Sequence, residues 1–376
     1  MNRIVKIGMD VHSTNFNLCA VEPVLGGEPN ALMKLETRPD VKDVISFVNR
    51  LKKQLGSDIN ITCGYEAGCL GFKLYHNLKE ANINCIVLAP STMAVPAGKR
   101  IKTDDRDAFL IAKCLCDGNF SAVHIPTPSD EEVRDYIRMQ EDHKQELKKI
   151  KQYINALCLR HGYRYQKTKW NEAHLQWLHN LQFSELVRET LNEYLTTYYH
   201  LANHLETIAS RIEELAARKE YSENVGKLGC FLGIKTTVAL SVLVETGDFK
   251  RFDKGNRYAA YLGLVPGEHS SGSDINRLPI TKAGNTHLRR LLIEAAQSIC
   301  RGHVKYKSKA LKARQKGKAP ELIAYADKAN ERLRRKYYRL INNGKQRNVA
   351  VTAIARELAC FIWGMMTNHL TEAGVA

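Results

Sequence analysis

Short apolar runs alternate with stretches whose apolar positions recur every three or four residues through the first third of the chain. These are the signatures of strand and helix. Ile4 to Met9 is a run that ends at Asp10, Phe16 to Val21 is a second, and Ala31 to Leu35 is a weaker third. Only short turn-like stretches join them, which predicts an antiparallel meander. A helix is expected over Val41 to Leu55, then a strand over Ile59 to Tyr65 ending at Glu66. A helix from about Gly71 to Glu80, a strand over Cys85 to Leu88 and a helix from about Asp105 to Cys116 follow. That order is the order of an RNase H-like domain, so residues 1–125 are expected to form a mixed sheet with flanking helices.

From Ser129 to about Ala217 the chain becomes charged and helical, with a break around Gly162. Leu191, Tyr194, Tyr198, Leu201, Leu205, Ile208, Ile212 and Leu215 recur at steps of three and four, the spacing of a coiled-coil seam. Leu147, Ile150, Ile154 and Leu157 repeat that spacing earlier. Residues 126–220 are therefore read as a helical arm, folded back on itself as a hairpin or paired with another chain. Residues 221–376 form a third, mostly helical domain. It opens on LGCFLGIKTTVALSVLVETG, where a turn at Gly233 separates two apolar helices. Such a turn either packs tightly or offers backbone N–H groups to a phosphate.

Composition narrows the partners. The formal charge is +16, as expected for a chain that binds a polyanion. Arg301 to Arg347 holds sixteen Lys and Arg residues against three acids, interleaved with Tyr306, Tyr325, Tyr337 and Tyr338. This favours a nucleic-acid surface over a merely solvated face. Lys305, Lys312 and Arg335 in that segment, and Lys282, Arg289 and Arg290 before it, are candidate contacts. No apolar run is read as reaching the ~20 residues of a membrane span, and no signal-peptide pattern follows Met1. The expectation is a cytoplasmic, nucleoid-associated protein with no membrane partner. Ten cysteines lie mostly among apolar neighbours without CxxC spacing, which predicts buried thiols.

Acids at strand ends carry the chemistry. Asp10 and Glu66 end two predicted strands, and in KTDDRDA the residues Asp104 and Asp107 share a face of the first turn of a helix. Four carboxylates gathered together repel unless cations lie between them, and hard oxygen ligands select Mg²⁺ or Mn²⁺. Two such ions suit phosphodiester chemistry. Against this, Asp104 has the alternative role of helix cap, and Asp105 is an equally acidic neighbour.

Further on, the loop Gly267 to Ser273 contains His269, Ser270 and Ser271, and leads to Ile280, Thr281, Lys282, Gly284 and a helix starting near Asn285. Serines in a polar loop are ordinarily turn formers. Spacing alone sets neither His269 nor any cation against them.

GMDVH around Asp10, YEAG around Glu66, KTDDRDA, AAYLGLVPGEHSSG and ITKAGNTHLRRLL together resemble the DEDD transposases of the insertion-sequence-110 family, relatives of the Piv invertase. The resemblance runs over essentially the whole chain, to NVAVTAIARELACFIWGMM. It implies a RuvC-like first domain, a coiled-coil arm and a C-terminal transposase domain. Asp10, Glu66, Asp104 and Asp107 would bind magnesium. Ser270 would be the nucleophile that joins a DNA phosphate, with Ser271 the alternative. The partners it implies are donor and target DNA, a structured bridge RNA that pairs with both, and further copies of the chain as a dimer or tetramer. Ser273 and Leu278-Pro279 depart from the family's commoner pattern, outside the ligand set.

Two other readings make different predictions. A RuvC-type endonuclease would cut branched DNA with metal-activated water and no covalent intermediate. A non-catalytic nucleic-acid-binding protein would use the first domain as a scaffold.

Overall fold

The computed structural model describes residues 3–56, 58–90, 93, 104–268, 277–303 and 306–370, with the side chains of Asp104, Asp105 and Arg277 outside that set. The chain divides into two compact units, Met1–Ile125 and Pro126–Ala376.

The first unit is built on β1 (Arg3–Val11), β2 (Phe16–Glu22), β3 (Asn30–Thr37), β4 (Ile59–Glu66) and β5 (Asn84–Leu88) in the sheet order β3-β2-β1-β4-β5. β1, β2 and β3 run antiparallel, whereas β4 and β5 lie parallel to β1, as expected for the RNase H-like order. Alternation decides the two faces. Val5, Ile7 and Met9 point with Cys63 and Tyr65 into a core shared with Val44, Phe47 and Val48 of α1 (Val41–Leu55). α1 starts where Asp40 accepts a hydrogen bond from the Lys42 amide, satisfying one of the orphan N–H groups of the first turn. The opposite face carries α3 (Asp104–Asp117), whose Ala108 and Ala112 pack with Cys19 and Val21. α2 (Lys73–Glu80) links β4 to β5.

Among the described residues the second unit is helical apart from one small hairpin. α4 (Pro128–Arg160) begins with Thr127 as N-cap, Pro128 in its first turn and Asp130 and Glu131 beside the positive helix end. α6 (Glu185–Ala216) runs back along it. Of the seam positions, Leu191, Tyr198, Leu201, Ile208, Ile212 and Leu215 are buried. The distal half shares a core of Ile154, Leu157, Cys158, Leu191 and Leu195, closed by Leu178 of α5 (Glu172–Asn180) and by Leu181. The seam is thus covered by the chain's own α4, the hairpin alternative. Val133 and Ile137 of α4 join Ile208 and Ile212 in the unit's main core.

That main core gathers α7 (Ser222–Leu228), α8 (Thr236–Thr246), α9 (Gly255–Tyr261), α10 (Thr286–Cys300), α12 (Pro320–Asn342) and α13 (Arg347–Met366), and α11 (Lys309–Gln315) is tied on by Arg314 and Gln315, which donate to the Gly229 and Cys230 carbonyls. α13 corrects one expectation, because it is long and apolar enough to cross a membrane by length and composition. Its apolar residues instead face the unit's interior, with 72% of the apolar window buried. A helix apolar over most of its circumference suits such a central core position. All ten cysteines are free and eight are buried, as the apolar neighbours predict.

Candidate active site

Asp10 and Glu66 stand one residue beyond the Met9–Tyr65 pair that ends the β1–β4 register. Because side chains alternate, they share a sheet face with Lys6, Gly8, Thr62 and Gly64, the face that α3 covers. Two glycines let the helix approach. A Cβ at Gly8 would lie 2.0 Å from the Ala108 carbonyl oxygen, and one at Gly64 would lie 2.8 Å from Leu115 Cδ1. Gly8, two residues before Asp10, faces Ala108 and Ala112 in the first half of α3, so the first turn of the helix lies close to this stretch of β1. Asp107 is half-buried in that first turn. The sheet and helix therefore bring Asp10, Glu66 and the start of α3 to one edge and one face. Asp104 and Asp105 begin the helix, and their side chains lie outside the described residues.

Asp10 keeps 18% of its side chain exposed and its Oδ2 lies 3.2 Å from His12 Nε2. Sequence reasoning passes over His12. Its spacing of two from Asp10 across a strand end was the available signal, since such residues share a face. The donor set at this edge is hard carboxylate oxygen, which fits magnesium or manganese rather than a softer metal. Among the described residues no group of three His, Cys, Asp or Glu side chains converges on one point.

In the second unit, His269, Ser270 and Ser271 fall in 269–276, outside the described residues. That segment joins β6 (Pro266–Glu268) to β7 (Arg277–Ile280), an antiparallel pair with Pro266 opposite Ile280 and Glu268 opposite Arg277. The base of this hairpin is locked backbone to backbone. The Thr281 amide donates to the Val265 carbonyl at 2.9 Å, and the Lys282 amide to that of Gly263 at 3.2 Å. Gly263 and Gly284 both have positive φ, and a Cβ on Gly284 would lie 1.9 Å from the Tyr261 oxygen. Lys282 itself adopts φ 55°, a left-handed conformation uncommon for a side-chain-bearing residue.

Two of the three nearby cations, Arg289 and Arg290, are already engaged. Arg289 Nη1 donates to the carbonyls of Leu262 and Ala283, both at 3.0 Å, and burial pushes its guanidinium pKa down. Arg290 pairs with Glu141 at 2.9 Å and Glu294 at 3.1 Å. Lys282 is exposed, as are Lys312 and Arg335 on α11 and α12, and Lys305 lies outside the described residues.

Below the hairpin lies a polar network that sequence reasoning misses. Glu245, with its side chain only 2% exposed, accepts Nε and Nη2 of Arg138 at 2.7 and 2.9 Å. It also accepts Asn285 Nδ2 at 2.8 Å, and Asn285 Oδ1 caps α10 by accepting the Leu288 amide at 2.9 Å. One carboxylate so ties α4, α8 and the start of α10 together. Partners 107 residues apart leave no local pattern to read.

Comparison with known proteins decides the family. Residues 228–312 match the profile described as Transposase IS116/IS110/IS902 family, and residues 7–161 match the DEDD transposases of IS110. The transposase y4qE of Sinorhizobium fredii is 34% identical over 361 residues, covering 96% of this chain and 87% of that protein. The chain belongs to the IS116/IS110/IS902 transposase family. The transposase for insertion sequence element IS1533 of Leptospira borgpetersenii is 30% identical over 351 residues, covering 90% of this chain and 97% of that protein. As a member of this transposase family the chain is an enzyme that cuts and rejoins DNA. The solved Thermus thermophilus RuvC overlays 32% of this chain and 99% of its own at 14% identity and a TM-score of 0.24, too low to bear on the fold.

Proposed function

We propose that this transposase moves an insertion sequence by serine-dependent transesterification at a site completed by Asp10, Glu66, Asp104 and Asp107. The observation that carries the reading is the placement of Asp10 and Glu66 at adjacent parallel strand ends, on the face where α3 begins. The four carboxylates would hold Mg²⁺, or Mn²⁺, which when bound supplies charge neutralisation and orientation at the scissile phosphate. His12 orients the Asp10 carboxylate through their 3.2 Å contact.

Ser270 is the proposed nucleophile, with Ser271 the alternative within HSSG. Its Oγ forms a bond to phosphorus as the bond to a leaving sugar oxygen breaks. The hydroxyl proton passes to solvent or a nearby base, and the leaving oxygen takes up a proton. A DNA hydroxyl then attacks the phosphoserine, releases the serine and rejoins the strand. The locked turn of Gly263, Lys282 and Gly284 supports the reading, since it fixes where the serine segment leaves and re-enters the unit. Donor and target are chosen by pairing with a bridge RNA, in keeping with a basic chain that lacks a base-reading motif. Further copies of the chain complete the assembly, which acts on DNA in the cytoplasm.

The test is Asp10→Asn in the full chain, supplied with guide RNA, both DNAs and Mg²⁺. Strand transfer is expected to fall by at least about a hundredfold while DNA binding persists. Transfer at the unsubstituted rate would remove the carboxylates from the chemistry.

A further inference from the structure

The second unit carries a groove that the active-site reading does not use. Its volume is about 660 Å³, and its wall is one face of α12, set with Lys328, Arg332, Arg335, Lys336 and Arg339. Steps of four, three, one and three keep all five cations on one side of the helix. Two acids complete the lining. Glu331 pairs with Arg335 at 2.5 Å, and Glu357 of α13 forms the floor, pairing with Lys336 at 2.5 Å and with Arg332. Among the described residues neither Lys328 nor Arg339 has an ion-pair partner.

Three features define what fits there. Every lining residue is charged, with no aromatic ring to stack on a base and no Asn or Gln amide to bracket an adenine edge, so a row of backbone phosphates is the ligand that the five cations match best. The cations exceed the acids by three. They extend over eleven residue steps, about 16 Å at ~1.5 Å per residue, which matches about five successive phosphates of a strand rising ~3.4 Å each. A single small anion would need only one end of such a row.

The floor explains how so many cations stay packed. Glu357 is 4% exposed on its side chain, while Arg332, Arg335 and Lys336 keep 43%, 64% and 28% of theirs. A buried carboxylate beneath two half-exposed cations lowers their mutual repulsion and holds their stems in place, so less rotamer freedom is lost when an anion arrives.

We propose that the α12 face from Lys328 to Arg339 is a sequence-independent track for the phosphodiester backbone of a nucleic acid. This rests on the reading that the chain acts on nucleic acid, and it adds where a backbone lies away from the carboxylates. DNA and RNA present the same phosphate chemistry, and the test separates them.

The test compares the full chain with K328A/R335A/R339A, in EDTA so that no strand transfer enters. Binding to a 30-base-pair DNA duplex of arbitrary sequence and to an RNA hairpin is followed by fluorescence anisotropy from 50 to 300 mM NaCl. On at least one probe the slope of log affinity against log salt is expected to shrink by roughly two to three, about one for each cation removed. A second DNA sequence should lose the same factor. Loss on one probe alone assigns the track to that polymer, and loss on both makes it common to both. The charge-retaining K328R/R335K/R339K should keep the slope, which separates charge from fold. Unchanged affinity and slope for the alanine variant on both probes would overturn the track while leaving the transposase reading intact. Failure of the unsubstituted chain to bind either probe would overturn the track together with the reading that this basic surface holds nucleic acid.

Discussion

The Cβ that Gly8 lacks would fall 2.0 Å from the carbonyl oxygen of Ala108. Any side chain there must push α3 away from β1, and the start of α3 is where Asp104 and Asp107 stand relative to Asp10 and Glu66. Gly8→Ala is therefore expected to cost about 1–3 kcal/mol, the range of overpacked cores, and to depress strand transfer further than the lost stability explains. Gly27→Ala, whose Cβ would meet nothing closer than 3.4 Å, should stay within ~0.5 kcal/mol. Urea denaturation of both variants, with transfer assayed well below the transition, checks this.

Asn285 links the cap of α10 to Glu245. Asn285→Ser keeps an N-cap oxygen and gives up the contact with the carboxylate, whereas Asn285→Asp keeps the cap and sets a second negative charge against Glu245 Oε2. Asp is ordinarily as good a cap as Asn, yet here it is expected to be the less stable of the two by about 1 kcal/mol or more. Thermal melts at pH 7 decide it, and a more stable Asp variant would mean that the Asn285–Glu245 contact has no energetic weight.

Glu357 gives the second unit an acid-sensitive element. Burial alone would raise its pKa, but the hydrogen bonds and charges of Lys336 and Arg332 outweigh it and hold the carboxyl below its ordinary value of 4.5. A depressed folded-state pKa means stability that is fully present above the unfolded-state value and lost as pH falls through the folded one. Glu357→Gln is expected to cost about 1–3 kcal/mol at pH 7, below the ~3–5 of a fully buried pair because both cations keep solvent contact. The gap from the unsubstituted protein should narrow as pH drops below about 4.5, read by urea midpoints at pH 7 and across the acid limb.

The arm is held by its seam. Ile212 is fully buried and Leu186 is 72% exposed on the same helix. Ile212→Ala should cost about 2–5 kcal/mol and Leu186→Ala less than ~0.5. Equal effects in chemical denaturation would mean that α6 does not pack as described.

Much of this was legible because it is periodic. The apolar runs ending at Asp10 and Glu66 are strands for the reason that alternation reveals, and the three-and-four spacing from Leu191 to Leu215 is the buried stripe of α6. What escaped has no period. Glu245 pairs with Arg138 from 107 residues away, and Glu357 pairs with Arg332 and Lys336 across the turn between α12 and α13, so neither set falls on one helix's spacing. Gly8 reads as one more residue in an apolar run, although its missing side chain sets the approach of a helix a hundred residues away. α13 shows the reverse error. Arg356 and Glu357 interrupt its apolar sequence, which hid a stretch long enough for a span, and only packing reveals it as a core helix.

A serine in HSSG and the carboxylates beginning with Asp10 are proposed to act in one reaction. The most direct measurement is trapping of a denaturation-resistant protein–DNA adduct on end-labelled DNA, with guide RNA and Mg²⁺ supplied. The intact chain should give the adduct, while Ser270→Ala and Asp10→Asn should give none and still bind DNA. An adduct at the unsubstituted level from Ser270→Ala would contradict that serine as the nucleophile, and cleavage by the intact chain with no adduct would contradict the covalent route altogether.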